Sequence, residues 1–200
     1  MRVLITGVAR SGTSLTSQIC GALGASLGTV NGLFENMPIR ENVLKPMIQA
    51  SGGDRLGQHP LPPRDADPGW KIRDTVEAQL GRDGWAYKGV KMLLVWRNWV
   101  REFPDAKWVI VRRDADDIAR SCLRTEFMRK YDTHQGWLGW VREYTDRIAD
   151  LQLHADYIEI WPHKAVSGDL SEYKRMADHC GLTWDQAAVE AVIDRDRWHA

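Results

Sequence analysis

The octapeptide Gly7-Val8-Ala9-Arg10-Ser11-Gly12-Thr13-Ser14 satisfies every position of the phosphate-cradling pattern G-x-x-x-x-G-K-[ST] except the lysine, whose place is taken by Thr13. Backbone N–H groups in such a glycine turn, with the positive end of a helix dipole behind them, hold anions. An NTPase also needs the lysine on the β- and γ-phosphates and a hydroxyl on magnesium. Here the nearby cation is Arg10, inside the loop. A guanidinium can fork onto two oxygens of a tetrahedral anion, which suits a 5′-phosphate and a transferring group without demanding a metal.

A second cationic element lies about a hundred residues on. The apolar run Lys107-Trp108-Val109-Ile110-Val111 reads as a buried parallel strand and leads through Arg112 and Arg113 into Asp114-Ala115-Asp116-Asp117-Ile118. Asp114 is placed to cap a helix, with Asp116 and Asp117 in its first turn. Those acids repel an anion from the helix end. A second anion is therefore expected to be held from the side, by Arg113 leaving the strand and by the Ser121 hydroxyl two turns along.

With both motifs in view, the chain resembles the sulfotransferases that use 3′-phosphoadenosine 5′-phosphosulfate. Their 5′-phosphosulfate loop has Lys or Arg followed by Ser-Gly-Thr-[ST], as in Arg10 to Ser14. Their 3′-phosphate element is a strand ending in Arg with a Ser eight residues later, the spacing of Arg113 and Ser121. Gly89-Val90-Lys91, and Phe103-Pro104-Asp105-Ala106-Lys107 before the strand, are similar to the bacterial and the carbohydrate or protein-tyrosine branches. The resemblance covers residues 1 to 125 well and the rest loosely. It implies a P-loop-like sulfotransferase fold and sulfuryl transfer from that nucleotide to an acceptor hydroxyl. The donor would be held by Arg10, Ser11, Gly12, Thr13, Ser14 and Leu15, and by Arg113 with Ser121, and would leave as 3′-phosphoadenosine 5′-phosphate. No metal is implied. The acceptor stays open among carbohydrate, lipid, phenol and protein tyrosine.

The catalytic assignments follow from the same resemblance. Branches with a glutamate base place it after the first helix, where Glu35 falls. Lys91 resembles the family's second cation, at the end of a strand near the cleft, and Arg10 opposes the charge that builds on the transferring group. Cytosolic members carry a histidine two residues after a strand lysine, whereas Leu93 follows Lys91 at that spacing. Leu15 stands where they have an adenine-stacking Trp, and Ala115 where Pro is frequent. His59, in a long loop, is the rival base. Two other readings remain: a small-metabolite kinase with a degenerate phosphate loop, which would need magnesium, and a noncatalytic nucleotide-binding module.

Composition narrows the field. Two hundred residues favour a single domain over residues 1–200. Lys plus Arg equals Asp plus Glu at 27 each, so no field of one sign draws the chain to nucleic acid or an anionic membrane. Cys20, Cys122 and Cys180 are isolated and lack metal-ligand spacing; they read as small core residues in a reducing cytosol. No apolar run approaches the roughly 20 residues of a membrane span, and a soluble, cytoplasmic protein is expected.

The elements that must position these groups alternate between strand and helix. Val3-Leu4-Ile5 is a strand feeding the glycine turn, and Leu15, Ile19, Ala22 and Leu23 give the helix after it. Residues 25–30 read as a short strand. Asn36 caps a helix with Pro38 in its first turn, ending near Ser51. Residues 52–69, rich in Gly and Pro, form a long loop, either an acceptor-site lid or a connector. Asp67-Pro68 starts a helix that Gly81 stops. Trp85 to Val90 is a strand, Met92 to Phe103 a helix, and the stripe Trp137, Trp140, Val141, Tyr144, Ile148, Leu151 a core-facing helix. Tyr157 to Trp161 is the last strand, and Asp169-x-x-Glu172 and Thr183-x-x-Gln186 read as capping boxes, with Gly181 between them. The sum is a three-layer α/β/α sandwich with a mainly parallel central sheet, whose ligand sits at the carboxyl ends of the strands.

Overall fold

The apolar runs ahead of both anion motifs become neighbouring strands. In the computed structural model, which describes residues 1–193, β1 (Arg2–Gly7), β2 (Trp85–Lys88), β3 (Lys107–Val111) and β4 (Tyr157–Ile160) form one parallel sheet in the order β2-β1-β3-β4. Its two faces are sorted by the period of two along each strand. Leu4, Trp85, Tyr87, Trp108 and Ile110 enter one core cluster, and Val3, Ile5, Ala86, Val109 and Val111 the other.

Helices cover both faces. The second cluster is closed by α1 (Thr13–Ala22), and later by α9 (Ser171–Cys180) and α10 (Gln186–Val192), through Ile19, Tyr173, Met176 and Val189. The first takes α2 (Met37–Ile39), α3 (Lys45–Ala50), α4 (Arg73–Leu80), α5 (Trp96–Glu102), α6 (Ala115–Leu123) and α7 (His134–Gln152). After β4 come α8 (His163–Val166), α9 (Ser171–Cys180) and α10 (Gln186–Val192). Trp137, Trp140, Val141, Tyr144, Ile148 and Leu151 are all buried, as their helical period requires. The three cysteines are buried too, and burial pushes each thiol upward.

Several local signals held. The Asn36 side chain accepts from the Ile39 N–H at 3.1 Å, Asp114 accepts from Asp116 and Asp117, and Gly181 ends α9 in the left-handed region. One feature was not foreseen: α2 and α3 are joined by a wide π turn, Arg40–Leu44. Pro46, just beyond it, has no N–H to give to the preceding turn, and widening the ladder accommodates that loss.

Other boundaries need correcting. Residues 25–30 make only isolated bridges, Ser26 to Trp85 and Val30 to Asn36. Asp67 does not start a helix; it pairs with Arg101 and accepts from the Gly69 N–H. α4 opens at Arg73, where the Glu102 carboxylate of α5 accepts from the Ile72 and Arg73 N–H groups. β2 stops at Lys88 and a 3₁₀ turn, Val90–Leu94, follows. Neither capping box forms. Glu172 is buried against Lys164, Arg175 and the Trp161 N–H, and Asp185, not Thr183, caps α10. Among the described residues no helix is long and apolar enough to cross a membrane.

Candidate active site

Gly7 and Val111, the last residues of β1 and β3, are register partners, so the two anion motifs begin side by side. A Cβ on Gly7 would stand 2.4 Å from the Val111 carbonyl oxygen, and only glycine permits that approach. The chain then turns through Arg10 at φ 72° and Gly12 at φ 103°, both left-handed. Arg10 bears that strain because its carbonyl accepts from Arg113 Nη1 at 3.0 Å. Gly12 occupies the N-cap of α1 and offers no side-chain oxygen, so the first-turn amides of the helix are left for a ligand.

Arg10, Gly12, Thr13, Ser14, Leu15, Glu35, Lys91 and Arg113 all line a single cleft of about 630 Å³. Ser11 and Ser121 do not. Ser11 is fully buried with its hydroxyl packed beneath the turn against Gly7, and its N–H is spent on the Val8 carbonyl. Ser121 accepts from Arg10 Nε at 3.0 Å and thereby links the two motifs through the loop arginine. Ser14 donates to the Leu33 carbonyl at 3.0 Å. Arg10, Arg113 and the N-terminus of α1 thus present donors to one side of the cleft, which fits a ligand with two separate anionic groups. Burial pushes the Arg113 guanidinium down, with Arg10 among the cations that add to the effect and Asp117 opposing it. An anion there relieves that repulsion.

Glu35 is delivered by a tight loop. The Asn31 side chain accepts from the N–H groups of Leu33 and Glu35, Phe34 adopts φ 58°, and Ser14 and Ser17 of α1 donate to the Leu33 and Phe34 carbonyls. The Glu35 carboxylate then lies 2.8 Å from Arg40 Nε and 3.3 Å from Lys88 Nζ. Lys88 also donates to the Leu33 carbonyl at 3.1 Å. Burial lowers its amine, and Glu35 works against that shift.

Lys91 is not at a strand end; Lys88 is, and Lys91 follows in the 3₁₀ turn. It nonetheless faces the cleft. Burial brings its amine from 10.5 down to about 8, opposed by Glu35 and reinforced by Arg40, Lys45 and Lys88. His59 lies elsewhere, its Nε2 2.9 Å from a Glu143 carboxylate oxygen, and it is not among the cleft residues. His199 lies outside the described residues. Among the described residues no three His, Cys, Asp or Glu side chains are grouped to hold a metal ion.

Sequence reasoning missed Lys88, Arg40 and Asn31. Lys88 carried a usable signal, as the one charged residue closing an otherwise apolar strand, Trp85-Ala86-Tyr87. Arg40 carried none, because its pairing with Glu35 depends on how the chain turns from Asn36 into α2.

Neither a family model nor a curated protein sequence matches the chain. Solved structures do. The sulfotransferase domain of the Synechococcus PCC 7002 olefin synthase superposes with a TM-score of 0.63 at 16% identity, over 94% of this chain and 76% of that one. The sulfotransferase domain from the curacin biosynthetic pathway gives 0.58 at 10% identity, over 93% and 75%. Sulfotransferase STF1 from Mycobacterium tuberculosis H37Rv gives 0.55 at 14%, over 96% and 70%. The architecture is therefore that of the P-loop-like α/β sulfotransferase fold.

Proposed function

We propose that the chain is a sulfotransferase that takes a sulfuryl group from 3′-phosphoadenosine 5′-phosphosulfate and passes it to an acceptor hydroxyl. The observation that carries this reading is the pairing of an arginine-bearing, lysine-free anion turn with a second arginine one strand away, on the cleft that Glu35 and Lys91 also line. Likeness of fold adds support and does not by itself assign chemistry.

The bound donor would supply the sulfuryl group, whose bond to the 5′-phosphate breaks as its bond to the acceptor oxygen forms. The first-turn amides of α1 and Arg10 would hold the 5′ end, and Arg113 the 3′-phosphate. Ser121 then acts as a positioning residue, since its hydroxyl engages Arg10. Glu35 would take the acceptor's proton. Lys88 and Arg40 fix the carboxylate from two sides and leave it unused lone pairs for that proton. Arg10 and Lys91 oppose the charge that builds on the transferring and leaving groups.

The test is a calorimetric titration with 3′,5′-bisphosphorylated adenosine and with 5′-AMP. The bisphosphate should bind much more tightly, and Arg113→Ala should erase most of the preference, because a charged hydrogen bond contributes about 1.5–3 kcal/mol. Equal affinities in the unaltered protein would end the donor assignment. Run with ATP and magnesium, the same titration tests the kinase reading.

A pH profile tests Lys91. A lysine held at about 8 is cationic below that pH and loses its charge above it, so kcat/KM should fall as the pH rises past 8. Lys91→Arg keeps a cation throughout and should remove the descending limb. A profile of the unaltered protein that stays level to the ordinary lysine value of 10.5 would rule Lys91 out as the titrating cation.

A further inference from the structure

The cleft has two walls of opposite character. One is the anion turn with Arg10 and Arg113. The other is built by the connector after α3, the 3₁₀ turn after β2, the segment between α6 and α7, and α7 itself, from Leu56, Val90, Phe127, Met128, Trp140 and Tyr144. Its polar atoms are already spent. Gln58 gives its amide nitrogen to the Phe127 carbonyl at 2.8 Å, and its amide oxygen accepts from the Arg129 and Lys130 N–H groups at 3.0 Å each. Trp140 Nε1 and the Tyr144 hydroxyl both donate to the Gly57 carbonyl, at 3.0 and 2.8 Å.

This wall reaches the point where the proton is removed. Gly57, at φ 72°, is pressed so close that an added Cβ would meet the Tyr144 hydroxyl at 2.7 Å and Lys91 Cγ at 2.8 Å. Lys91 in turn feels the charge of Glu35. At the mouth, Leu33, Leu56 and Phe127 are 41%, 52% and 51% exposed, three of the six large apolar side chains that the described residues leave to solvent. Apolar groups left in water beside a wall whose hydrogen-bonding atoms are satisfied internally are the marks of a site for an apolar ligand.

We infer that the acceptor is an alcohol or phenol whose hydroxyl is carried on an apolar alkyl or aryl body, and not a carbohydrate. The inference rests on the sulfotransferase reading. A sugar would bring several hydroxyls against a surface with no free partner for them, and each would lose its water uncompensated. An apolar body loses nothing there. Its single hydroxyl is directed to the one polar end of the wall, where Lys91 and Glu35 stand.

The experiment uses the full chain preloaded with 3′-phosphoadenosine 5′-phosphate, titrated calorimetrically with 2-naphthol, 1-octanol and N-acetylglucosamine. Radiolabelled sulfate transfer to each compound follows. Binding of, and transfer to, the naphthol or the octanol but not the sugar is expected. Leu56→Asp and Phe127→Asp, both at half-exposed positions that tolerate a charge, should raise KM for the apolar acceptor about tenfold or more with nucleotide affinity unchanged. Transfer to the sugar alone, nucleotide binding without binding of either apolar compound, or an unchanged KM in both variants would overturn the inference while leaving the donor assignment intact. Failure of the bisphosphate itself to bind would overturn the sulfotransferase reading instead.

Discussion

Glu35→Gln should lower turnover by roughly 10² to 10⁴ while donor affinity barely moves, since the amide keeps the shape of the carboxylate but removes the base. The substitution also strips a partner from Lys88, which is only 4% exposed. Removing one member of a buried ion pair costs about 3–5 kcal/mol when the other charge must stay. Here the cost is smaller, because burial already disfavours the charged Lys88 amine, and because the Leu33 carbonyl still accepts from it. A folded, nucleotide-binding but slow enzyme is the expected result. Calorimetry and radiolabelled transfer on one preparation separate the two effects. Near-normal turnover would reduce Glu35 to an anchor for Arg40 and Lys88, and the base would have to come from the acceptor.

Arg10→Ala should impair binding and rate together. On the proposed reading Arg10 would touch the ground-state donor and also the charge that develops later, and a single electrostatic contact of the second kind is worth about 10² to 10³ in rate. Alanine is no more strained than arginine at φ 72°, so the turn itself should persist. Arg10→Lys restores a charge but neither the fork nor the hold on Ser121 at 3.0 Å. Its activity should fall between the alanine variant and the unaltered chain. If Arg10→Ala changed KM alone, Arg10 would be an anchor with no part in the transition state.

The strands and the helix stripes were legible because each is a local pattern. Val3-Leu4-Ile5 and Trp108-Val109-Ile110-Val111 are continuous apolar runs, and the α7 stripe repeats with helical period. Caps built from neighbours, such as Asn36 and Asp114, were legible for the same reason. Much of what escaped depends on residues far apart in the chain. Glu102 fixes the start of α4 from thirty positions away, and Lys88 meets Glu35 across fifty-three. The site was therefore legible as two anion motifs and one acid, each near its own element. Which hydroxyls turn inward was not: Ser11 and Ser14 have the right types at the right spacing, yet one is sealed beneath the turn and the other ties down the Glu35 loop.

The contact between Gly7 and the Val111 carbonyl makes the two anion motifs a single rigid piece. They cannot separate without breaking the ladder between β1 and β3, and they cannot draw closer because no space remains. The opposite wall is held differently, by side-chain hydrogen bonds that converge on Gly57 and Gln58 of an irregular connector. Such bonds open at far lower cost than a buried strand pair. Traffic through the cleft should therefore use one door. On the proposed reading the nucleotide's berth would stay still, and reactants would arrive and products depart by the yielding of the apolar side, so that release of the spent nucleotide would wait on the connector.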